Sequence, residues 1–210
     1  MHKAFETPFL FRLNSLSNTY LQYLFVLFSK KLAFSAGACY NGEQNDTEKE
    51  TSPMKMTTLC YLERDGRYLM LHRTKKENDE NRDKWIGVGG KFEDGESPED
   101  CMRREILEET GLSVTAFRYR GIVTFVSDLY PCEYMHLFTC TDWTGEPKEC
   151  DEGDLAWIDK QALLRLPMWE GDRIFLSLID SPETPFFSLK LTYQGEHLTA
   201  ALLDGTPLPL

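Results

Sequence analysis

The 210-residue sequence lacks several features that define common protein classes. Its six cysteines form no C-x-x-C pair and no zinc-like spacing with the four histidines, so we expect reduced thiols and no structural zinc. The apolar run YLQYLFVLF at 20–28 covers only about half of the roughly 20 residues that a membrane-crossing helix needs. No segment recurs at a fixed period, which argues against a repeat architecture.

Positive charge is also scarce, because 23 Lys and Arg stand against 34 Asp and Glu and the net charge is -11. Residues 1–53 are neutral, so the remainder of the chain supplies the whole excess. Such an acidic surface repels nucleic acid and bare polyphosphate unless cations intervene. We therefore expect no stable nucleic-acid binding, and an anionic substrate would need a divalent metal ion.

The chain divides by composition near Met54. We interpret 1–53 as an N-terminal appendage that ends in the polar linker NGEQNDTEKETSP, and 54–210 as the working domain. Two lysines between the apolar run and the small-residue stretch AGA argue against a signal peptide. We expect a cytoplasmic protein; a weak N-terminal membrane tether is the alternative.

Strand and helix patterns begin at Met56. TTLCYLE and RYLMLHR flank the turn signal RDG and predict a hairpin, and GIVTFVSD, CEYMHLFTCTDW and DLAWID predict further strands. PEDCMRREILEET, KQALLRL and EGDRIFLSLID predict helices, and FFSLKLTYQGEHLTAALLD predicts a closing hairpin. Strands on both sides of one central helix predict an α/β fold, a mixed sheet between helices.

The central helix has strong end signals and an unusual distribution of acids. Ser97 can cap it, Pro98 suits its first turn, and Gly111 can supply a left-handed cap. At 100° per residue, three carboxylates fall within an arc of about 100° that also holds the apolar residues of the helix; they are Glu105, Glu108 and Glu109.

Acids on an inward face need cations, because burial and mutual repulsion otherwise destabilise them. Oxygen ligands clustered in this way suit Mg²⁺ or Mn²⁺. The alternative is an ordinary salt-bridged helix, in which Arg104 pairs with Glu108 one turn further on.

The same stretch resembles the signature of a known family. From Gly90, five residues precede Glu96, and seven more precede the run REILEETGL at 104–112. This is similar at every specified position to the Nudix box, G-x5-E-x7-R-E-U-x-E-E-x-G-U, where U is aliphatic. The resemblance implies the Nudix α/β/α sandwich and the hydrolysis of a nucleoside diphosphate linked to another group.

The resemblance also implies residue roles. Glu105, Glu108 and Glu109 match the metal ligands, the Gly89 carbonyl matches a backbone ligand, and Glu96 and Arg104 match residues that support the helix by ion pairing. Mg²⁺ is the implied cofactor, with Mn²⁺ as a substitute. For the group that takes the proton from the attacking water, two candidates stay open: Glu109, and Glu152 in ECDEGDL, which would also bind metal.

The base-binding site is inferred from similarity to the MutT-type branch of the family, which acts on oxidised purine nucleotides. In that branch a tryptophan stacks on the base and nearby acids read its edge. Trp169 and Asp172 would take these roles here, with Glu170 as a lesser candidate. Ile86 stands where the similar enzymes carry an asparagine, which removes one partner for the base.

The resulting hypothesis is a Mg²⁺-dependent enzyme that converts purine nucleoside triphosphates, including oxidised ones, to monophosphate and pyrophosphate. A Nudix hydrolase of ADP-ribose, a dinucleotide or an RNA 5′ end is the nearest alternative. A non-catalytic nucleotide-sensing module is the alternative from another class. The sequence leaves the preferred base and sugar and the oligomeric state open.

Overall fold

The computed structural model describes residues 54–75 and 79–210. The predicted appendage and linker at 1–53 lie outside the described residues, so the division at Met54 stays a prediction. The strands are β1 Lys55–Arg64, β2 Arg67–His72, β3 Trp85–Ile86, β4 Ser113–Ser127, β5 Glu133–Thr144, β6 Asp154–Asp159, β7 Phe187–Gln194, β8 His197–Leu203 and β9 Thr206–Pro207. The helices are α1 Pro98–Thr110, α2 Lys160–Leu163 and α3 Asp172–Asp180.

The nine strands form one mixed sheet. Its order is β3-β2-β1-β5-β4-β7-β8-β9, and β6 pairs with β2 beside this path. The β1–β5 and β4–β7 pairs are parallel, whereas β1–β2, β4–β5 and β7–β8 are antiparallel. The predicted hairpins around RDG and Gln194-Gly195 are both present.

The side chains on the two faces of the sheet form two separate cores, because successive residues of a strand point to opposite faces. In β1, Leu59 and Tyr61 join the core that contains Phe175 of α3. Cys60 and Leu62 join the other core, which contains Met102 and Ile106 of α1. Helices therefore cover both faces, and the fold is the expected α/β/α sandwich.

Helix α1 begins and ends as its sequence predicts. The Ser97 side chain accepts a hydrogen bond from Asp100 N, and the Asp100 side chain accepts one from Ser97 N, which completes a capping box. Gly111 has φ 76°, a left-handed conformation that favours glycine, and donates its N–H to Leu107 O. These two caps fix which residues of α1 face the sheet.

The first half of β4 was not predicted, because SVTAFRYR lacks a regular apolar pattern. Arg120 explains part of this irregularity: it is buried, and its guanidinium donates to the carbonyls of Leu178 and Ser181 at the end of α3. Arginine is mostly exposed in proteins, so its burial at this position could not be predicted from the sequence.

Among the described residues, no helix is long and apolar enough to cross a membrane.

Candidate functional site

A cavity of about 600 Å³ opens where residues from both helical layers of the sandwich meet at the sheet. Glu105 reaches it from α1, and Asp172 reaches it from α3. Its volume lies in the range of small-molecule sites, roughly 300–1,000 Å³. The remaining lining residues come from the sheet and its loops: Lys55, Thr57, Thr58, Leu59, Arg73, Asp79, Glu80, Asn81, Ile86, Gly89, Gly90, Lys91, Phe125, Tyr130, Glu133, Met135, Glu152 and Trp169.

The three carboxylates of α1 have different environments. Glu109 is buried, and the Glu105 side chain is 14% exposed. The Glu108 side chain is 61% exposed and does not line the cavity, which differs from the expected inward position. The helix turns Glu108 to the solvent edge, where it pairs with Arg104 at 3.3 Å, as the alternative interpretation predicted for this pair.

Arg104 organises the start of the acidic region. Its Nε donates to Glu96 Oε1 at 2.6 Å and its second terminal nitrogen donates to Glu96 Oε2 at 2.9 Å, a two-pronged pair. A further N–H donates to Glu105 Oε1 at 2.8 Å. The hydrogen bonds from Arg104 lower the pKa of Glu96 to about 2. Glu96 and Arg104 thus hold Glu105 in place, as the resemblance implies.

The loop before α1 approaches Glu105 closely. A Cβ atom at Gly90 would lie 2.4 Å from Glu105 Oε1, so a side chain at this position would displace the carboxylate from where it lies. The neighbouring Gly89 also lines the cavity. The backbone at Gly89 and Gly90 and the carboxylate of Glu105 therefore lie on the same wall of the cavity.

Glu152 joins the acidic region from the loop before β6. It is hydrogen-bonded to Glu109, and it forms an ion pair with Arg73. Burial and then the charge of Glu152 raise the pKa of Glu109 to about 8. Glu105, Glu152 and Arg73 line the cavity, while Glu109 contacts Glu152 and Arg104 contacts Glu105. We call these five residues the acidic side of the cavity.

Sequence reasoning missed Arg73. This arginine is buried, and its Nε also donates to Asp79 Oδ2 at 2.6 Å. The available signal was its place directly after β2, where a charged residue follows the buried run LML. Arg73 offsets part of the acidic charge and ties Glu152 to the loop at Asp79.

The donors of the acidic side fit a hard cation. The buried Oε2 of Glu109 has no hydrogen-bond partner in the part of the chain that the structure describes. Within the described residues, no three His, Cys, Asp or Glu side chains converge into a complete metal cage. Mg²⁺ does not require such a cage, since it keeps several waters and is bound by one or two carboxylates together with substrate phosphates.

Trp169 marks the other side of the cavity. It is buried, and it packs edge-on against Phe125 and Tyr130, with ring centroids 5.7 and 6.1 Å away. Its Nε1 donates to Asn81 Oδ1 at 2.9 Å, which fixes the plane of the indole. Lys84 Nζ lies 4.3 Å from the ring centroid, so a stacking base would need the opposite face.

Asp172, at the start of α3, adds a carboxyl group to this region. It is buried, and burial raises its pKa to about 8, which favours the protonated form at neutral pH. Ile86 lines the cavity too, so the position of the missing asparagine does face this space. We call Trp169, Phe125 and Tyr130, with Asp172, the aromatic side of the cavity.

The structure does not bring Glu170 to the cavity. Its carboxylate accepts a hydrogen bond from Leu198 N at 2.8 Å and lies 3.6 Å from His197 Nδ1, so it is bound to the β7–β8 hairpin. Asp172, two residues further on, points into the cavity because α3 begins at that residue. Sequence spacing alone did not distinguish these two acids.

Comparisons with known proteins agree with this fold. The NUDIX domain family matches residues 54–179, more than half of the chain. The chain therefore belongs to the Nudix family and is a Nudix hydrolase. Nudix hydrolases act on small nucleotide substrates and generally use Mg²⁺.

Individual proteins of the family show how similar this chain is to known members. The chain is 34% identical over 127 residues to the oxidized purine nucleoside triphosphate hydrolase of Danio rerio, covering 60% of this chain and 79% of that protein. It is also 34% identical over 124 residues to the Nudix hydrolase YvcI of Bacillus subtilis, covering 57% and 75%. The MutT protein from Bacillus halodurans superposes with a TM-score of 0.64 at 28% identity, over 73% of this chain and 99% of that chain.

Proposed function

We propose that this enzyme hydrolyses purine nucleoside triphosphates, including oxidised ones, to the monophosphate and pyrophosphate with Mg²⁺, and so removes damaged nucleotides from the precursor pool. The observation that carries the proposal is that one cavity has both an acidic side at α1 and an aromatic side beside α3. A nucleotide has the matching polarity, with a charged phosphate chain and a flat base. The likeness to the Danio rerio hydrolase supports the same substrate class.

The acidic side is assigned to the phosphate chain. Glu105, Glu109 and Glu152 would hold Mg²⁺ with the Gly89 carbonyl, and Glu108 would have to leave its pair with Arg104 at the solvent edge to join them. The bound ion would supply positive charge to the diphosphate and acidity to water. Glu96 acts through Arg104, which positions Glu105. Glu109 and Glu152 share a hydrogen bond. A substitution of one of them would therefore change how readily the remaining carboxylate accepts a proton from the attacking water.

The aromatic side is assigned to the base. Trp169 offers one face of its indole, and its hydrogen bond to Asn81 keeps that plane fixed before the substrate arrives. Stacking tolerates every base, because every base has a π-face. Selectivity must therefore come from polar groups, and Asp172, neutral at pH 7, can both donate and accept a hydrogen bond.

The decisive experiment is a turnover panel with Mg²⁺ that compares 8-oxo-dGTP, dGTP, 2-oxo-dATP, ADP-ribose and a diadenosine polyphosphate. We expect triphosphates to be the best substrates by kcat/KM, with pyrophosphate as a product. Pyrophosphate release distinguishes cleavage between the α and β phosphates from stepwise loss of orthophosphate. Hydrolysis of ADP-ribose well above every triphosphate would overturn the proposal.

A further inference from the structure

Glu133, the first residue of β5, lies on the face of the sheet that α3 covers. It pairs directly with Phe125 across the β4–β5 ladder, and directly paired residues point to the same face. Two residues further along β5, Met135 also lines the cavity. Glu133 is therefore a carboxylate in the cavity wall, on the same face as Met135 and next to the ring that contacts Trp169.

One oxygen of Glu133 is held by the protein and the other is available. Thr57 Oγ1, on the neighbouring strand, donates to Glu133 Oε1 at 2.6 Å. Within the described chain, Oε2 accepts no hydrogen bond. Lys55 pairs with Glu133 in the β1–β5 register, but its Nζ binds Glu80 Oε1 at 2.5 Å. Because Glu133 lines the cavity, its Oε2 is an acceptor offered to a ligand.

Glu133 and Asp172 both line the cavity. The charge of Glu133 is one of the causes that raise the pKa of Asp172, after burial. Burial likewise raises the pKa of Glu133, and the hydrogen bond from Thr57 opposes that shift. The pair offers a ligand one acid that can donate and one oxygen that can only accept when ionised.

We propose that Glu133 is a specificity-determining residue that accepts a hydrogen bond from the exocyclic 2-amino group of a guanine-type base, while Asp172 pairs with the adjacent amide. This inference rests on the proposed function. Guanine presents an acceptor at O6 and donors at N1 and at its 2-amino group, which complement a donating Asp172 and an accepting Glu133. Adenine has only C–H at this position and leaves the Glu133 oxygen unpaired.

The proposal has a consequence for oxidised substrates. Oxidation at C8 changes the opposite side of the purine and leaves the amide and 2-amino groups unaltered. Glu133 and Asp172 would therefore select guanine over adenine whether or not C8 is oxidised. Ile86, an apolar residue on the cavity wall, adds no hydrogen bond that would discriminate the oxidised base.

The test compares dGTP with dITP, which lacks only the 2-amino group. We expect the wild-type kcat/KM to favour dGTP by about 10- to 100-fold, as for a hydrogen bond to a charged group. Glu133→Met, of similar length but without an acceptor, should bring this ratio to within about twofold of one. Glu133→Gln keeps a neutral acceptor and should restore an intermediate ratio, and Thr57→Val should lower the ratio less than Glu133→Met.

Three controls keep the outcomes separate. Glu183→Gln, an exposed acid between α3 and β7 outside the cavity, should keep the wild-type ratio. Thermal unfolding of each variant identifies a general folding defect, and binding of dGMP against dIMP repeats the comparison without turnover.

An equal loss on dGTP and dITP in Glu133→Met would place the contact on the sugar or phosphates and overturn the inference. A wild-type ratio near one would overturn it too, while leaving the triphosphatase function intact. Absence of turnover of any triphosphate by the wild type would instead remove the proposed function on which the inference rests.

Discussion

The acidic and aromatic sides of the cavity are assembled from the chain in different ways. Most groups of the acidic side lie in one segment from Gly89 to Glu109, in which helix geometry and one loop set their positions. The aromatic side takes Phe125 from β4, Trp169 from the loop before α3 and Asp172 from α3 itself. Under the proposed function, chemistry on the phosphate chain would therefore depend on local structure, and recognition of the base would depend on how distant elements pack.

This difference predicts separable effects on catalysis and on binding. Substitutions on the acidic side should lower kcat on every nucleotide alike. Substitutions on the aromatic side should raise KM or change base preference.

The largest effect is expected for Glu109→Gln. It removes a buried carboxylate whose Oε2 has no partner within the described chain, and we expect kcat with Mg²⁺ to fall by about 10²- to 10⁴-fold, with base preference unchanged. Steady-state kinetics on dGTP and dATP measure both quantities. Glu149→Gln, an exposed acid outside the cavity, is the charge-matched control. Unchanged turnover would remove the assignment of the acidic side to catalysis.

A smaller effect is expected for Trp169→Ala. Loss of a stacking surface should raise KM by about 10- to 100-fold, with a smaller change in kcat. Removal of a buried tryptophan should also destabilise the fold by about 3–5 kcal/mol, so assays belong below the lowered unfolding temperature.

Trp169→Phe is the matched variant for this prediction, because it keeps a ring and loses the N–H that binds Asn81. Its KM should lie between those of wild type and Trp169→Ala, and should be close to that of Asn81→Ala. A wild-type KM in Trp169→Ala would show that the indole is only a packing residue.

The smallest effect concerns Asp172 and the dependence of stability on pH. Burial raises its pKa from 3.8 to about 8 in the folded protein, so folding binds a proton between these values. The stabilisation by the neutral form is complete below about pH 4 and is lost as the pH rises through 8. Asp172→Asn cannot ionise, so its unfolding temperature should rise relative to wild type from pH 5 to pH 9, by roughly 2–4 °C per kcal/mol.

Scanning calorimetry across that range measures this difference. Asp142→Asn, an exposed acid on β5, is the control and should leave the pH profile unchanged. A difference between Asp172→Asn and wild type that stays constant with pH would show that the Asp172 carboxyl is ionised throughout.

Sequence reasoning was most accurate where structure is local. Ser97, Asp100 and Gly111 predicted both ends of α1, since caps depend on residues within a few positions of each other. It was least accurate where exposure depends on distant elements. Glu108 shares the predicted arc of α1 and still points to solvent, and Glu170 binds the β7–β8 hairpin and not the cavity.

Arg73 and Glu133 show why other site residues were missed. Each is a single charged residue at the end of a strand, and that position alone does not distinguish it from a surface residue. Arg73 is placed by its ion pairs with Asp79 and Glu152, and Glu133 is placed by its hydrogen bond to Thr57 and its strand pairing with Phe125.

The sequence by itself determined the family and the helix that carries the acids, because these follow from residues within one short segment, and its net charge predicted a divalent cation. Only the tertiary structure decided which acids are buried and which residues share the cavity. The reason is physical: burial and pKa depend on which elements pack together, as β1, β4, β5 and α3 do around Glu133 and Asp172.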